Sequence, residues 1–367
     1  MYFEYQGINA FLVGMSDVLL THGVSRRTRG KICYELPQPV MIKIVDPTAR
    51  IITLPERKWN YALPFVESLW LALGQNDTAM VTHYLKSLLD YSDDGVYMRG
   101  GYGPRFRYFN GLAEDYRVDG IRQYRDKNRA VEVDQFEYIS KAFERDPYTR
   151  QAVITIGDPA KDCFGEAHIL KNTMDFPCTK SLHFQRTGDR LDLIVHMRSN
   201  DFVWGACGVN IFNFTFIQEY FAQILGLKVG SYYHVADNFH YYDYHRELLS
   251  EIAAVKHVDD QGYTYQKTFQ TLSEFDILLG KLKNFEQNLR NGKPFQYENL
   301  NDPFFDDWAQ VLYVKTFGIS STVSFLHPAL NKIRDRELLK DRSKRLKNSV
   351  SEDIKSNQKH TKRKSNE

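Results

Sequence analysis

Helix-like and strand-like segments interleave along this 367-residue chain, which predicts a globular fold of mixed helix and strand. Two observations carry that expectation. Apolar residues recur at helical spacing in some windows and alternate with polar ones in others. In addition, no apolar run approaches the roughly 20 residues of a membrane-spanning helix. The length allows a large core, in one domain or two.

Residues 8–19 place Ile8, Phe11, Leu12, Met15, Val18 and Leu19 on one helical face. The next segment, THGVSRRTRGKICYEL, is turn-rich and basic, with Arg26, Arg27 and Arg29. It reads either as a solvated loop or as a phosphate-binding loop, because guanidinium forks match phosphate oxygens. VMIKIVD (40–46) reads as a strand ended by Pro47. Residues 60–74 form an apolar helix stopped by Gly74, with Glu67 standing among Phe65, Val66, Leu69, Trp70 and Leu71. Such a carboxylate either faces water or is buried with a partner, and a raised pKa there suits proton handling.

The stretch 93–107 is glycine-rich and turn-like, without the glycine spacing of a nucleotide phosphate cradle. Residues 132–145 read as an amphipathic helix capped by Asp134. TRQAVITIGD reads as a strand with Arg150 at its entrance. Residues 191–197 alternate as a strand with one wetter face, on which Arg198 follows His196. A buried helix over 211–225 stops at Gly226, and SYYHVA is a strand leading into Asp237-Asn238. Two helices follow, over 271–290 and, from Pro303, over 303–316.

Charge is nearly balanced at +2 but unevenly placed, since from Asn331 onward 13 Lys/Arg face 6 Asp/Glu. Beyond Pro328 the aromatic and most apolar residues disappear, which cannot support a core. The expected division is a folded domain over 1–328 and a basic, largely disordered tail over 329–367. The body gives no reason for nucleic-acid binding; only the tail could touch nucleic acid or an acidic partner. The N-terminus lacks a basic leader and a cleavage site, so a cytoplasmic location is expected, in the host cytoplasm for a viral protein. Cys33, Cys163, Cys178 and Cys207 match no zinc spacing, so no metal is expected, and they read as free thiols.

The stretch from Asp175 to His245 concentrates the chemistry. DFPCTKS holds Cys178, HMRSND holds Arg198 and Ser199, GACGVN ends at Asn210, and VADNFHYYDYH holds His240 and Tyr242. Polar groups among Phe, Val, Ile and Trp are costly unless partnered, so a ligand site is the leading explanation. Singly, each has a blander reading: an inert thiol, a surface ion pair, a satisfied core histidine. Together, with twenty residues from Cys178 to Arg198 and thirty from Asn210 to His240, they form a specific ordered set.

That set resembles the thymidylate synthase and pyrimidine-nucleotide C5 hydroxymethylase family, in a divergent, viral-type form. The resemblance covers roughly residues 20–250. It implies an α/β (α+β) single domain, a mixed β-sheet flanked by helices, and a homodimer formed through the sheet face. It also implies 5,10-methylenetetrahydrofolate as cofactor and dUMP as substrate. Cys178 would attack C6 of the uracil ring as thiolate, with Arg198 as the activating cation. Arg198 and Ser199 would hold the 5′-phosphate, joined by Arg27 or Arg29. Arg150 would reach the same phosphate across the dimer, although Gln151 replaces the family's second arginine. Asn210 would read the pyrimidine and, in place of the aspartate of cytosine-specific relatives, favours uracil. One residue more than usual separates Gly205 from Asn210. His240 and Tyr242 would bind the deoxyribose hydroxyl, Glu67 would organise proton transfer, Tyr102 would stand near C5, and Asp201 would meet the folate.

The family divides over its product: hydride gives thymidylate, and water gives hydroxymethyldeoxyuridylate. YSDDGVYMRGG stands where synthases carry a tryptophan-containing segment, and HTKRKSNE stands where they carry an apolar closing tail. Both departures open the site to water, so deoxyuridylate hydroxymethylase is the expected activity, ahead of thymidylate synthase. An inactive nucleotide- or nucleic-acid-binding relative is the alternative of another class, and a cytidylate hydroxymethylase a further one.

Overall fold

The computed structural model of the chain describes residues 1–28, 30–119, 132–292, 299–320 and 322–340. Its strands are β1 (Tyr2–Tyr5), β2 (Val24–Thr28), β3 (Lys31–Glu35), β4 (Val40–Ile44), β5 (Val153–Thr155), β6 (Thr179–Thr187), β7 (Arg190–Met197), β8 (Asn200–Asp201), β9 (Lys228–Ala236) and β10 (Phe239–Tyr242). The helices are α1 (Ile8–His22), α2 (Ala62–Ala72), α3 (Thr78–Tyr84), α4 (Tyr102–Arg107), α5 (Gln135–Arg145), α6 (Pro159–Asp162), α7 (Ile211–Ile224), α8 (Arg246–Ala253), α9 (Leu272–Arg290) and α10 (Pro303–Phe317).

Six strands form a mixed sheet in the order β1-β4-β9-β7-β6-β5, and four form a second in the order β2-β3-β10-β8. Adjacent strands β7 and β9 run parallel, and each continues after a two-residue break into β8 and β10, again parallel. Arg198-Ser199 and Asp237-Asn238 occupy those breaks, which are pinned by Asp237 N–H to the Met197 carbonyl (3.0 Å) and Asn200 N–H to the Asn238 carbonyl (2.8 Å). The fold therefore bends where polar residues gather.

α7 lies at the centre of the core. Its residues from Ile211 to Ala222 are all buried, as expected of a helix surrounded by other elements rather than laid on a surface. Phe214, Phe221 and Tyr220 pack toward Tyr102, Phe184 and Phe275. α2 is nearly as buried and is tied to α10 by Trp308 Nε1 donating to the Phe65 carbonyl at 2.8 Å. Gly74 stops it in the left-handed region at φ 74°.

Helices α1, α2, α5, α7, α9 and α10 and strands β4, β5, β7 and β9 lie where hydrophobic spacing places them; β1, β6, β8, β10, α3, α6 and α8 are not read from the sequence, and three expectations change. The basic segment expected as a loop is the hairpin β2–β3, turning at Gly30 (φ 75°). Its alternation is hard to read in sequence because β2 is mostly exposed, so no apolar stripe marks it. The glycine-rich stretch expected as turns ends in helix α4, held by buried Arg105 Nη2 on Asp162 Oδ1 at 2.7 Å. Finally, residues 328–340 are helical, with Ala329, Leu330 and Ile333 in the core, so packed structure continues past 328. Three apolar side chains at helical spacing suffice for this docking, although the segment is charged overall. The remainder of the tail expected over 329–367, residues 341–367, lies outside the described residues.

Candidate active site

Cys178 directly precedes β6, and Arg198 directly follows the neighbouring β7. Their backbones meet through Arg198 N–H donating to the Cys178 carbonyl at 2.9 Å. The guanidinium then folds back over the DFPC turn: Nε donates to the Pro177 carbonyl (3.1 Å) and Nη2 to the Phe176 carbonyl (3.0 Å). The same Nη2 lies 3.5 Å from Cys178 Sγ. The Cys178 sulfur therefore sits against a fixed positive charge. Arg198 also rests on the Phe176 ring, as does Lys180, whose ammonium pKa burial and Arg198 push down.

Tyr102 opens α4 and meets the strand that follows Cys178, its Oη accepting from Thr179 N–H at 3.2 Å. Burial, with the Cys178 thiol adjacent, raises its phenol pKa, so it remains a neutral donor. Gly103 beside it is required by space, since a Cβ there would lie 2.3 Å from the Gln75 carbonyl oxygen.

Glu67 projects from α2 toward α7, where Asn213 Nδ2 donates to Oε2 at 2.8 Å. Ser68 Oγ in turn donates to Asn213 Oδ1 at 2.9 Å, which fixes the amide. Burial pushes the Glu67 carboxyl up to about 7, with the Asn213 hydrogen bond opposing. Glu67 keeps limited contact with solvent. Asn210 lies three residues before Asn213, on the same face of the helix start. Asn200 Nδ2 donates to Asn210 Oδ1 at 2.9 Å.

The segment Phe202–Asn210 before α7 is π-helical. The Gly205–Asn210 interval lies within this segment, and a π-helical turn holds more residues than an α-helical one. His240 and Tyr242 sit on β10, beside the β2–β3 hairpin and Asp201. His240 Nδ1 lies 2.7 Å from Asn238 Oδ1, which Ser199 Oγ also approaches at 3.5 Å. Burial lowers the His240 pKa against the pull of Asp201 and Glu35. Cys178, Arg198, Ser199, Tyr102, Glu67, Asn210, His240, Tyr242 and Asp201 are thus carried by elements that meet around α7 and the sheet break.

Two expected phosphate ligands are not drawn in within one chain. Arg27 is exposed on β2, and Arg150 is exposed before β5. Arg29 lies outside the described residues.

Several residues escape sequence reasoning. Asn213, Asn238 and Asn200 act as holders of other side chains, and nothing in their local pattern distinguishes them. Arg57 donates through Nη2 to the Val203 carbonyl at 2.7 Å. Its Nε, like Glu56 Oε2, is buried without a hydrogen-bond partner. Arg57, Asp201 and His245 lie within electrostatic reach of one another, and Trp204 and Tyr244 are exposed nearby, at 40% and 63%. Among the described residues no group of three or more His, Cys, Asp or Glu is placed to hold a metal. No helix among them is long and apolar enough to cross a membrane.

A family model described as thymidylate synthase matches residues 13–288. The chain is 35% identical over 254 residues to a deoxyuridylate hydroxymethyltransferase of Bacillus phage SP01, covering 68% of this chain and 60% of that protein. It is 31% identical over 234 residues to the enzyme of that name from Pseudomonas phage M6, covering 63% and 58%. It is 25% identical over 219 residues to a thymidylate synthase of Haloferax volcanii, covering 55% and 60%. The chain therefore matches about 60% of the length of these relatives. On the family match and the ordered site together, this chain belongs to the thymidylate synthase family.

Proposed function

We propose that the chain transfers a one-carbon unit from 5,10-methylenetetrahydrofolate to C5 of deoxyuridylate, with 5-hydroxymethyldeoxyuridylate as product. The observation that carries the chemistry is the Arg198 guanidinium 3.5 Å from the Cys178 sulfur, within the site that also holds Glu67 and Asn210. Cys178 thiolate adds to C6 of the uracil; an S–C6 bond forms, and the C5–C6 π pair moves toward O4, making C5 nucleophilic. Arg198 and Ser199 hold the 5′-phosphate, and His240 and Tyr242 hold the sugar hydroxyl. Asn210 donates to O4 and accepts from N3–H. Glu67, poised near neutrality, takes and returns protons through water at the C5 side, with Tyr102 beside it.

The bound folate supplies carbon at the oxidation level of formaldehyde. Asp201, Arg57 and the aromatic faces of Trp204 and Tyr244 are the residues that would hold it. The hydroxymethyl product is favoured by the phage relatives, which carry that name at 28–35% identity. It is favoured also by the segment 91–101, which folds back on itself and leaves Tyr91 and Val96 exposed. Thymidylate synthase is the second reading, supported by the match to the archaeal synthase.

Release of tritium from C5-labelled dUMP in the presence of the folate tests the chemistry. Cys178→Ala is expected to lower release by at least ~10³-fold while leaving the melting temperature unchanged, since the nucleophile is irreplaceable. Release at the wild-type rate would remove Cys178 from the mechanism, whereas no release from the wild type itself would favour the non-catalytic binding reading.

A further inference from the structure

We propose that Tyr232, His234 and Asn200 form a buried relay that fixes which way the Asn210 carboxamide faces, and so makes the site accept uracil and refuse cytosine. The inference rests on the reading of Asn210 as the residue that meets the base.

The relay is continuous. Tyr232 Oη lies 2.9 Å from His234 Nδ1, His234 Nε2 lies 2.9 Å from Asn200 Oδ1, and Asn200 Nδ2 lies 2.9 Å from Asn210 Oδ1. Tyr232 and His234 occupy alternate positions on the inward face of β9 and have no solvent exposure, while Asn200 is nearly as buried. Gly205 leaves the space that the last link needs, because a Cβ there would sit 2.4 Å from Asn200 Nδ2 and 2.9 Å from Asn210 Oδ1.

Such a chain has a direction. Burial holds His234 neutral, its pKa pushed down to about 3, so its ring carries one N–H. If that proton is on Nε2, the Tyr232 hydroxyl donates to Nδ1, His234 donates to Asn200, and Asn200 donates to the Asn210 oxygen. Every polar atom in the line is then satisfied. With the proton on Nδ1, the Tyr232 hydroxyl must accept it, and its own proton is left inside the protein without an acceptor. An unmet buried donor is unfavourable, so the first direction holds.

The direction matters because a carboxamide is nearly symmetric in shape and opposite in polarity at its two ends. Uracil offers an acceptor at O4 and a donor at N3; cytosine offers a donor at N4 and an acceptor at N3. A freely turning Asn210 would satisfy either base by rotating half a turn. Anchored through its oxygen, it offers one polarity and leaves cytosine facing like groups. Tyr232, His234 and Asn200 are thus positioning residues that act through Asn210.

Titration calorimetry of the full chain with dUMP and with dCMP tests the relay. The measured quantity is the ratio of the two affinities, which a loss of general packing would not shift selectively. The wild type should prefer dUMP, and Asn210→Ala should lose that preference. Asn200→Ala and His234→Phe, with Asn210 intact, should each cut the preference by about tenfold or more, in part through tighter dCMP binding. Tyr232→Phe removes one oxygen and keeps the ring, and carries the same expectation if the larger changes unfold the chain. Loss of preference in Asn210→Ala with full preference in the relay variants would overturn the relay and leave the base reading standing. Full preference in Asn210→Ala, or none in the wild type, would overturn both.

Discussion

Cys178 and Arg198, twenty residues apart in sequence, lie with sulfur and guanidinium 3.5 Å apart because adjacent antiparallel strands begin and end there. This juxtaposition is legible in sequence as an interval, since a hairpin of fixed length imposes it. Glu67 is legible as a polar residue in an apolar helix, but its partner is not, because Asn213 lies 146 residues away. The carboxyl has a consequence for stability. The folded chain keeps Glu67 protonated up to about 7, whereas an exposed glutamate titrates near 4.5. The folded state therefore holds the extra proton between those values. That contribution is fully present below about 4.5 and is lost as pH rises through about 7. Glu67→Gln stays neutral and should flatten this part of the pH dependence in thermal melts from pH 4 to 8. An unchanged slope would mean that Glu67 ionises like an exposed acid.

Among the elements, α1, α2, α5, α7, α9, α10, β4, β5, β7 and β9 are readable because apolar residues recur in them at helical or strand spacing. The hairpin β2–β3 and helix α4 are not, since the hairpin is largely exposed and α4 is held by buried arginines rather than by an apolar stripe. Arg107, at the end of α4, shows how strongly. Its guanidinium meets Asp134 at 3.1 Å, Asp276 at 2.9 Å and the Ala72 carbonyl at 2.9 Å, joining α4 to the cap of α5, to α9 and to α2. Arg107→Ala would leave two carboxylates facing each other in the interior, and should destabilise by about 3–5 kcal/mol in denaturant unfolding. A loss below about 1 kcal/mol would show the cluster to be open to water. The π-helical turn before Asn210 is likewise unreadable from periodicity, because one extra residue leaves the apolar pattern intact on either side.

For the molecule as a whole, Arg150 is informative by its position. It is exposed, on the edge strand's approach, away from Arg198 in its own chain. If it completes the phosphate site of a second copy, two inactive variants should rescue each other. Cys178→Ala mixed equally with Arg150→Glu, after unfolding and refolding together, should recover about a quarter of wild-type activity, because half the dimers then carry one intact site. No recovery would mean that Arg150 does not act across two copies, and full activity in Arg150→Glu alone would place it outside the site. The fate of the transferred carbon also belongs to this scale, because it depends on how much water reaches the assembled site. The most direct measurement is a product balance: the purified protein is incubated with dUMP and 5,10-methylenetetrahydrofolate, and nucleotide and folate are identified by mass. The expected result is 5-hydroxymethyldeoxyuridylate with an equal amount of tetrahydrofolate. Thymidylate with an equal amount of dihydrofolate would contradict it.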